Sequence, residues 1–463
     1  MKTMSAFIRT TKSICPVCYH VIDASLYEEN GAVYMEKRCA EHGAFKDLCW
    51  SDYQLYQQFE SKDTRGAGRR EVTTATNGNG ECPFACGLCP QHESSTVLGV
   101  IDVTMRCNLS CPTCFAGSTS KGERHEKDPH FEHLKAIIDN FALNTNAAGL
   151  QFSGGEPTLR EDLPELIAYA RRKFDHVEVN TNGLKMAASP EYCKELESAG
   201  TSVIYLQFDG VTEAPYEQLR GRKLLGVKKQ AIENHRTAGP KPAIVLVPTI
   251  VKGINDDQIG AIINFAIENS AIIRGVNFQP VSFCGRTLHD HHERITVSDV
   301  IRKVEEQTGF LRREDFFPPS MMSMLLGTLG KSEAGCHFSC GAFSYLVVGK
   351  KGKAEGKIEP ITKYLDLDKL AAAYTKNKRI SALTAVRHIH PSFLKELFIK
   401  FLKSHTYEDL SDLHFNLLFI GAMHFMDPSN FDLARVRRCV IHYGLPDGRI
   451  VPFCSYNTIH RKN

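Results

Sequence analysis

The chain carries the same cysteine spacing twice: Cys82-x3-Cys86-x2-Cys89 in ECPFACGLCPQH, and Cys107-x3-Cys111-x2-Cys114 in MRCNLSCPTCF. Three thiolates so spaced can hold three irons of a four-iron cluster. Because most such clusters take four cysteines, the fourth iron is then open to another ligand. A different layout begins the chain: Cys15-x2-Cys18, then Cys39 and a fourth donor, either Cys49 or His42. A knuckle with a distant second pair suits one tetrahedral ion, zinc or iron, and so small a module would hardly fold without it. Near the other end, Cys336-x3-Cys340 and Cys439-x14-Cys454 make a complete set of four thiols. That set fits a further [4Fe–4S] cluster, with zinc as the competing occupant. Cys193, inside EYCKEL, reads as an ordinary helix thiol.

The surrounding elements separate the two repeated motifs. An apolar, strand-like run over 97–103 precedes Cys107, whereas the turn-forming Asn77-Gly78-Asn79-Gly80 precedes Cys82. A second strand, starting at Gly149-Leu150-Gln151-Phe152, ends in Ser153-Gly154-Gly155-Glu156-Pro157. Strands are expected at 97–104, 148–153, 175–180, 202–208, 243–250 and 273–279. Helices are expected near 130–142, 162–173, 189–199, 222–238 and 255–269. Such alternation means a parallel sheet with right-handed crossovers, and α/β barrels gather their chemistry at the C-terminal strand ends. The Cys107 loop and the glycine turn would therefore face one another. Elsewhere, 32–37 alternates like a hairpin strand, 60–80 reads as a linker, and Asp447-Gly448-Arg449-Ile450 as a hairpin turn. Beyond Phe283 the pattern shifts to helical stretches such as 393–402.

Composition excludes several classes. A 463-residue chain with 42% hydrophobic residues can build a large core in two or three domains. A net charge of +3 from 56 basic and 53 acidic residues gives no footing for nucleic acid as a partner. The first twelve residues have no signal-peptide core, so the 16 cysteines argue for metal and redox centres inside the cell rather than disulfides. No run of about 20 apolar residues exists to span a bilayer.

The pairing of CNLSCPTC with the later GGEP turn resembles the radical S-adenosylmethionine (SAM) superfamily. That resemblance implies an α/β fold, a partial (β/α)6 barrel, with an N-terminal Cys-rich metal ribbon and a C-terminal auxiliary-cluster region. The implied division is 1–60 as a rubredoxin- or zinc-ribbon-like module and 61–96 as a linker with the auxiliary cysteine motif. The barrel then spans 97–283 and the C-terminal cluster domain 284–463. It further implies that Cys107, Cys111 and Cys114 hold the cluster that cleaves SAM to a 5′-deoxyadenosyl radical. Gly154 and Gly155 would allow backbone approach to SAM, and Glu156 would suit its ammonium. Asn180 and Asn182 would meet the ribose, and Phe278 and Gln279 the adenine. One departure stands out: the family places an aromatic before the third cysteine, where this chain has Thr113, and Phe115 is the substitute. Cys82, Cys86 and Cys89 become an auxiliary centre whose fourth ligand is His92 or a distant cysteine such as Cys284. The expected cofactors are SAM, about three [4Fe–4S] clusters and one mononuclear iron or zinc.

The whole layout, with CPFACGLCPQH and the C-terminal HFMDPSNFDLARVRRCVIHYGLPDGRIVPFC, resembles the tetraether lipid synthases. By that resemblance the chain couples two lipid tails, isoprenoid or fatty acyl, through an sp3 carbon–carbon bond. It would draw electrons from a low-potential donor such as ferredoxin or flavodoxin. It would be cytoplasmic, with peripheral contact at the inner membrane face. Met321 to Gly327 and Phe415 to Phe425 could line a lipid tunnel, and the 393–402 helix could rest on the membrane. The alternatives are a radical SAM methyltransferase acting on a reduced pterin, a peptide-modifying radical SAM enzyme, and a non-enzymatic electron-transfer protein. His289, His291, His292, His424 and His442 read as surface or structural residues.

Overall fold

The computed structural model describes residues 5–65, 81–118, 128–239, 241–287, 293–321, 335–348, 358–377, 387–388, 390 and 417–462. Four antiparallel strands open the chain: β1 (Ala6–Ile14), β2 (Val21–Glu29), β3 (Ala32–Cys39) and β4 (Gly43–Trp50). Asn30 and Gly31 join β2 to β3 with φ of 53° and 79°, the left-handed pair that a two-residue hairpin requires. Alternation along β3 buries Val33 and Met35. They share a core with Trp50 and with Tyr56 and Phe59 of α1 (Tyr53–Ser61).

The expected strand–helix alternation follows. Parallel strands β5 (Leu98–Thr104), β6 (Gly149–Gly154), β7 (His176–Thr181), β8 (Val203–Gln207), β9 (Ala243–Val247) and β11 (Ile273–Pro280) stand in sheet order. The crossovers carry α2 (Phe131–Asn144), α3 (Leu163–Arg171), α4 (Leu184–Ala188), α5 (Pro190–Ser198), α6 (Ala214–Arg220), α7 (Leu225–Ala238) and α8 (Ile259–Glu268); α9 (Val297–Thr308) follows. The strand expected over 243–250 is split. Pro248, with no N–H to donate, separates β9 from the short β10 (Thr249–Ile250), which pairs with β11. The helix expected from 255 begins at Ile259. Asn255 and Asp256 instead accept from the backbone N–H of Val251 and Gly253, a turn that competes with helix.

Strands from beyond residue 284 extend the same sheet at both edges. Strand β14 (Leu417–Met423) runs parallel to β11, with β12 (Gly341–Val348) and β13 (Ile358–Pro360) outside it. At the opposite edge β15 (Ile441–Gly444) runs parallel to β5 and pairs with β16 (Ile450–Pro452) across the expected Asp447–Ile450 turn. Exposed sheet edges are thereby covered. The 415–425 stretch, expected to line a tunnel, is a core strand where described: Leu418 and Ile420 are fully buried. His424 and His442 are buried as well. Residues 322–327, the 393–402 helix, most of the 60–80 linker, and His289, His291 and His292 lie outside the described residues. Among the described residues no helix is long and apolar enough to cross a membrane.

Buried and part-buried arginines join these parts. Arg294 donates to Asp427 (2.8 and 3.1 Å) and to Asp47 of the ribbon (2.6 and 3.1 Å). Arg9 of β1 pairs with Asp432 at 2.6 Å, and Arg438 with Asp63 at 2.6 and 2.9 Å. Removing one partner of such a pair strands a buried charge, which destabilises by about 3–5 kcal/mol. Arg294→Met is therefore expected to lower the free energy of denaturant unfolding by about that amount, far beyond the effect of Arg302→Met on the exposed face of α9. Equal unfolding midpoints for the two variants would refute the clamp.

Candidate active site and metal centres

The Cys107 loop leaves the C-terminal end of β5, and the glycine turn leaves the adjacent end of β6. Gly155 N–H donates to Thr104 O at 2.7 Å and Glu156 N–H to Arg106 O at 2.8 Å. A Cβ on Gly154 would lie 2.1 Å from Thr104 O, and one on Gly155 2.1 Å from Arg106 O. Gly154 also sits at φ +125°, which side-chain-bearing residues avoid. The glycines thus serve first to seat this turn on the backbone leading into the cysteine loop. Glu156, expected to face an ammonium group, is instead occupied internally. Its carboxylate accepts from Thr158 N–H and Oγ1, Thr181 Oγ1 and Asn182 N–H at 2.6 to 3.1 Å, and it is 1% exposed. It ties the ends of β6 and β7 together and has nothing left to offer a ligand.

The far side of the cysteine loop is held by two arginines. Arg286 donates to the carbonyls of Cys111 (2.6 Å) and Ser118 (2.7 Å), while its backbone exchanges hydrogen bonds with Cys114. Arg220 donates to Thr113 O at 2.9 Å and is anchored by two bonds to the buried Asp209. Carbonyls are taken up on that side and the three thiols are left together. Burial pushes Cys107 up to about 12, with Glu156, Cys111 and Cys114 adding; burial also raises Cys111, against the pull of Arg220. No cysteine of the chain is in a disulfide. Grouped soft donors disfavoured as free thiolates are what a cationic iron cluster would stabilise. Beside Thr113, Phe115 stacks on Phe453 (5.5 Å between centroids) and meets Phe425 at 5.7 Å.

The remaining expected SAM contacts divide. Asn182 Nδ2 donates to Asn108 Oδ1 at 2.7 Å and its Oδ1 accepts from Leu184 N–H, so it fastens the β7 end to the cysteine loop. Below it the fully buried Lys228 donates to Asn182 O and Gln207 Oε1, and burial brings its amine down to about 8. Asn180 donates to Gln151 and Ser153, and its Oδ1 accepts no hydrogen bond among the described residues. Phe278, expected against adenine, is 0% exposed and packed in the main core. It lies on the face of β11 turned away from the barrel interior, because strand side chains alternate. Gln279 is half-buried on the other face.

The ribbon cysteines meet a sharper test. Cys18 and Cys39 sulfurs stand 3.8 Å apart, and His42 Nδ1 lies 3.8 Å from Cys15 and 3.5 Å from Cys39. A tetrahedral zinc ion, with Zn–S about 2.3 Å and Zn–N about 2.0–2.1 Å, requires edges of about 3.8 Å and 3.6 Å. All four atoms lie within 4.8 Å of one another. Cys49, expected as fourth ligand, is not among them. It stands six residues beyond Gly43 on β4, about 20 Å along an extended strand, and burial pushes its thiol up to about 12. His42 sits on the same turn as Cys39.

Two further cysteine sets form, one of them adjoining the Cys107 loop through the stacked rings of Phe115 and Phe453. Cys82, Cys86, Cys89 and His92 line one small cavity with Arg437. Cys284 is not there; its sulfur contacts Ser282, Thr458 and Met426 O instead. The pairs Cys336/Cys340 and Cys439/Cys454, about 100 residues apart in the chain, come together, with Cys336 buried and the other three part-buried. A hydrogen bond from Cys336, with Arg435 adding, holds Cys340 down to about 6. Arg435 and Arg438 bring two guanidinium charges to this set. Among the described residues no three of these sulfurs close to 4.8 Å as the ribbon donors do.

A polar cluster inside the barrel went unnoticed in the sequence. Val177 and Val179 face the core, so Glu178 between them faces inward. Gln151 Nε2 donates to Glu178 Oε2 at 2.9 Å, and burial pushes the carboxyl up to about 7. Tyr205 of β8 pairs in register with Asn180, on the face that Glu178 shares, and both Glu178 and Tyr345 are near enough to act on its phenol electrostatically. A charged residue alternating with valines in HVEVNT was the available signal.

Residues 101–266 match the radical SAM superfamily and residues 7–51 the HMPTM N-terminal zinc ribbon domain. The 7,8-dihydro-6-hydroxymethylpterin dimethyltransferase of Methanocaldococcus jannaschii is 43% identical over 98% of this chain and 94% of its own length. An Fe-coproporphyrin III synthase of Methanosarcina barkeri is 40% identical over 27% of this chain and 30% of its own. Among solved structures, Streptococcus suis SuiB bound to its precursor peptide SuiA aligns at TM-score 0.39 and 18% identity, covering 46% of each chain. The superfamily match implies SAM and a [4Fe–4S] cluster as cofactors, and the ribbon match one mononuclear ion. The full-length match overturns the lipid-coupling expectation and its lipid partner: that relative is a pterin enzyme. Shared cysteine layout specifies the radical machinery and leaves the substrate open. For the ribbon, His42→Ala is expected to lose the ion and Cys49→Ala to keep it, as metal analysis of each purified protein would record; the reverse pattern would restore Cys49 as ligand.

Proposed function

Because the chain belongs to the family of the 7,8-dihydro-6-hydroxymethylpterin dimethyltransferase, within the radical SAM superfamily, we propose that it methylates a reduced pterin. The observation that carries this reading is the extent of the relationship. It runs through ribbon, barrel and C-terminal region alike, so the parts outside the superfamily's common core are shared as well. The division into 1–60, 61–96, 97–283 and 284–463 belongs to the same proposal.

Cys107, Cys111 and Cys114 are assigned to the SAM-binding cluster. When bound and reduced, that cluster and SAM supply a 5′-deoxyadenosyl radical able to abstract hydrogen. The chain's own residues set the place where this happens. Arg220 and Arg286 hold the loop carbonyls back, so the thiols stay oriented toward the barrel mouth. Glu156 fixes the β7 end against the glycine turn, which leaves Asn180 and Gln279 to contact SAM from the barrel side. Cys82, Cys86, Cys89 and His92 are assigned to one auxiliary centre, and Cys336, Cys340, Cys439 and Cys454 to another, the latter balanced by Arg435 and Arg438. A low-potential electron donor completes the system.

Two experiments test the reading. Pterins extracted from a bacterial host expressing the chain should contain methylated 6-hydroxymethylpterin by mass spectrometry, and the Cys111→Ala strain should contain none. Unmethylated pterins in both strains, with folded cluster-bearing protein present, would refute it. In vitro, Cys111→Ala should abolish reductive cleavage of SAM to 5′-deoxyadenosine, whereas Cys86→Ala should retain most cleavage and lose methylated product. Equal loss of cleavage in the two variants would reverse the assignment of roles between the cysteine motifs.

A further inference from the structure

Deeper in the barrel than the SAM-directed residues lies a built polar site centred on Glu178, linked to Asn180 through Gln151. Glu178 pairs in register with Gln151 on β6 and Val203 on β8. It lies three residues before the end of β7, about 10 Å below the level of the cysteine loop. Its Oε2 is bound by Gln151, while its Oε1 accepts no hydrogen bond among the described residues. Ser153, Asn180 and Gln151 form a hydrogen-bonded chain leading down to it from the barrel mouth. Tyr205 pairs in register with Asn180, on the same face of the sheet as Glu178 and two residues nearer the mouth, and neither Tyr205 nor Tyr345 makes a side-chain hydrogen bond among the described residues. Tyr345 and Phe419 pair directly across β12 and β14, with ring centroids 5.5 Å apart. They give the interior an aromatic wall.

A carboxylate only accepts hydrogen bonds, and two oxygens side by side match a planar group presenting two adjacent N–H donors. Aromatic walls select a flat ring. Resting on the pterin reading above, we propose that Glu178 recognises the pyrimidine edge of the substrate, its carboxylate receiving the ring N3–H and the 2-amino group. Tyr205, Tyr345 and Phe419 enclose the ring. The pyrazine edge, carrying the 6-substituent on the opposite side of the bicycle, then points up the barrel toward the Cys107 loop. Glu178 is thus a specificity residue placed at depth, with the reacting edge left near the mouth. With Gln151 as its one hydrogen-bond donor, this part-buried carboxylate has acceptor capacity left for two further N–H groups, and a ring presenting a carbonyl oxygen there instead is disfavoured.

The test uses the full chain, reconstituted with clusters and ribbon metal, in the presence of SAM. Binding of 7,8-dihydro-6-hydroxymethylpterin is compared with that of its 2-oxo counterpart, the corresponding lumazine. The wild type should prefer the pterin strongly. Glu178→Gln presents one donor and one acceptor, which match the lumazine C2 carbonyl and N3–H. It should therefore bind pterin roughly 100-fold more weakly and bind the lumazine better than wild type does. A gain of lumazine binding cannot come from misfolding. Equal affinity of the wild type for the two ligands overturns the proposal without any variant, as does E178Q binding pterin at wild-type strength. If the wild type binds neither ring, the pterin reading itself falls and this inference falls with it.

Discussion

The guanidinium of Arg294, buried between Asp47 and Asp427, is the contact on which the assembly turns. One charge holds the ribbon, the segment after the barrel and the C-terminal region together. Burial works to raise the Asp427 carboxyl, yet Arg294 overcomes it and holds the group below the usual carboxylate range. Arg9 with Asp432, Arg438 with Asp63, and Arg461 with Asp102 repeat the device at neighbouring seams. Each pair joins residues hundreds of positions apart. A fork of five donors facing a carboxylate fixes angle as well as distance, so these seams orient the cysteine-bearing segments more sharply than apolar contact would.

Close backbone contact performs the same task at the barrel mouth. The glycine turn lies so near residues 104–106 that a single Cβ would collide with a carbonyl oxygen. Glu156 then closes the neighbouring strand onto the turn. Together they leave the Cys107 loop little freedom, and Arg220 and Arg286 remove most of what remains. Preorganisation of this kind is what a cofactor carrying difficult chemistry asks of its protein.

Two expectations failed for reasons that spacing could not reveal. Cys49 is the more obvious zinc ligand by residue type, but the strand that follows Gly43 carries it away while the turn keeps His42 near Cys39. Glu156 is the natural partner for an ammonium, but Thr158 of its own turn and Thr181 and Asn182 of the next strand end fill its carboxylate. The lipid reading failed differently. Cysteine layout reports the machinery, and machinery is shared across unlike substrates. Apolar stretches such as 417–423 look alike whether they line a tunnel or form a core strand.

The sequence by itself determined the alternating strand–helix order, the doubled cysteine motif and its pairing with the glycine turn, because these depend on residues close together in the chain. Local periodicity and turn chemistry carry that information in full. Only the tertiary structure decided which donors share a centre, that the C-terminal strands cover both edges of the barrel sheet, and that Glu178, Tyr205, Tyr345 and Phe419 converge on one interior. Those four residues come from four strands on opposite sides of a barrel. Nothing in the chain's linear order brings them together; the hydrogen-bonded strand order of an open, partial barrel does.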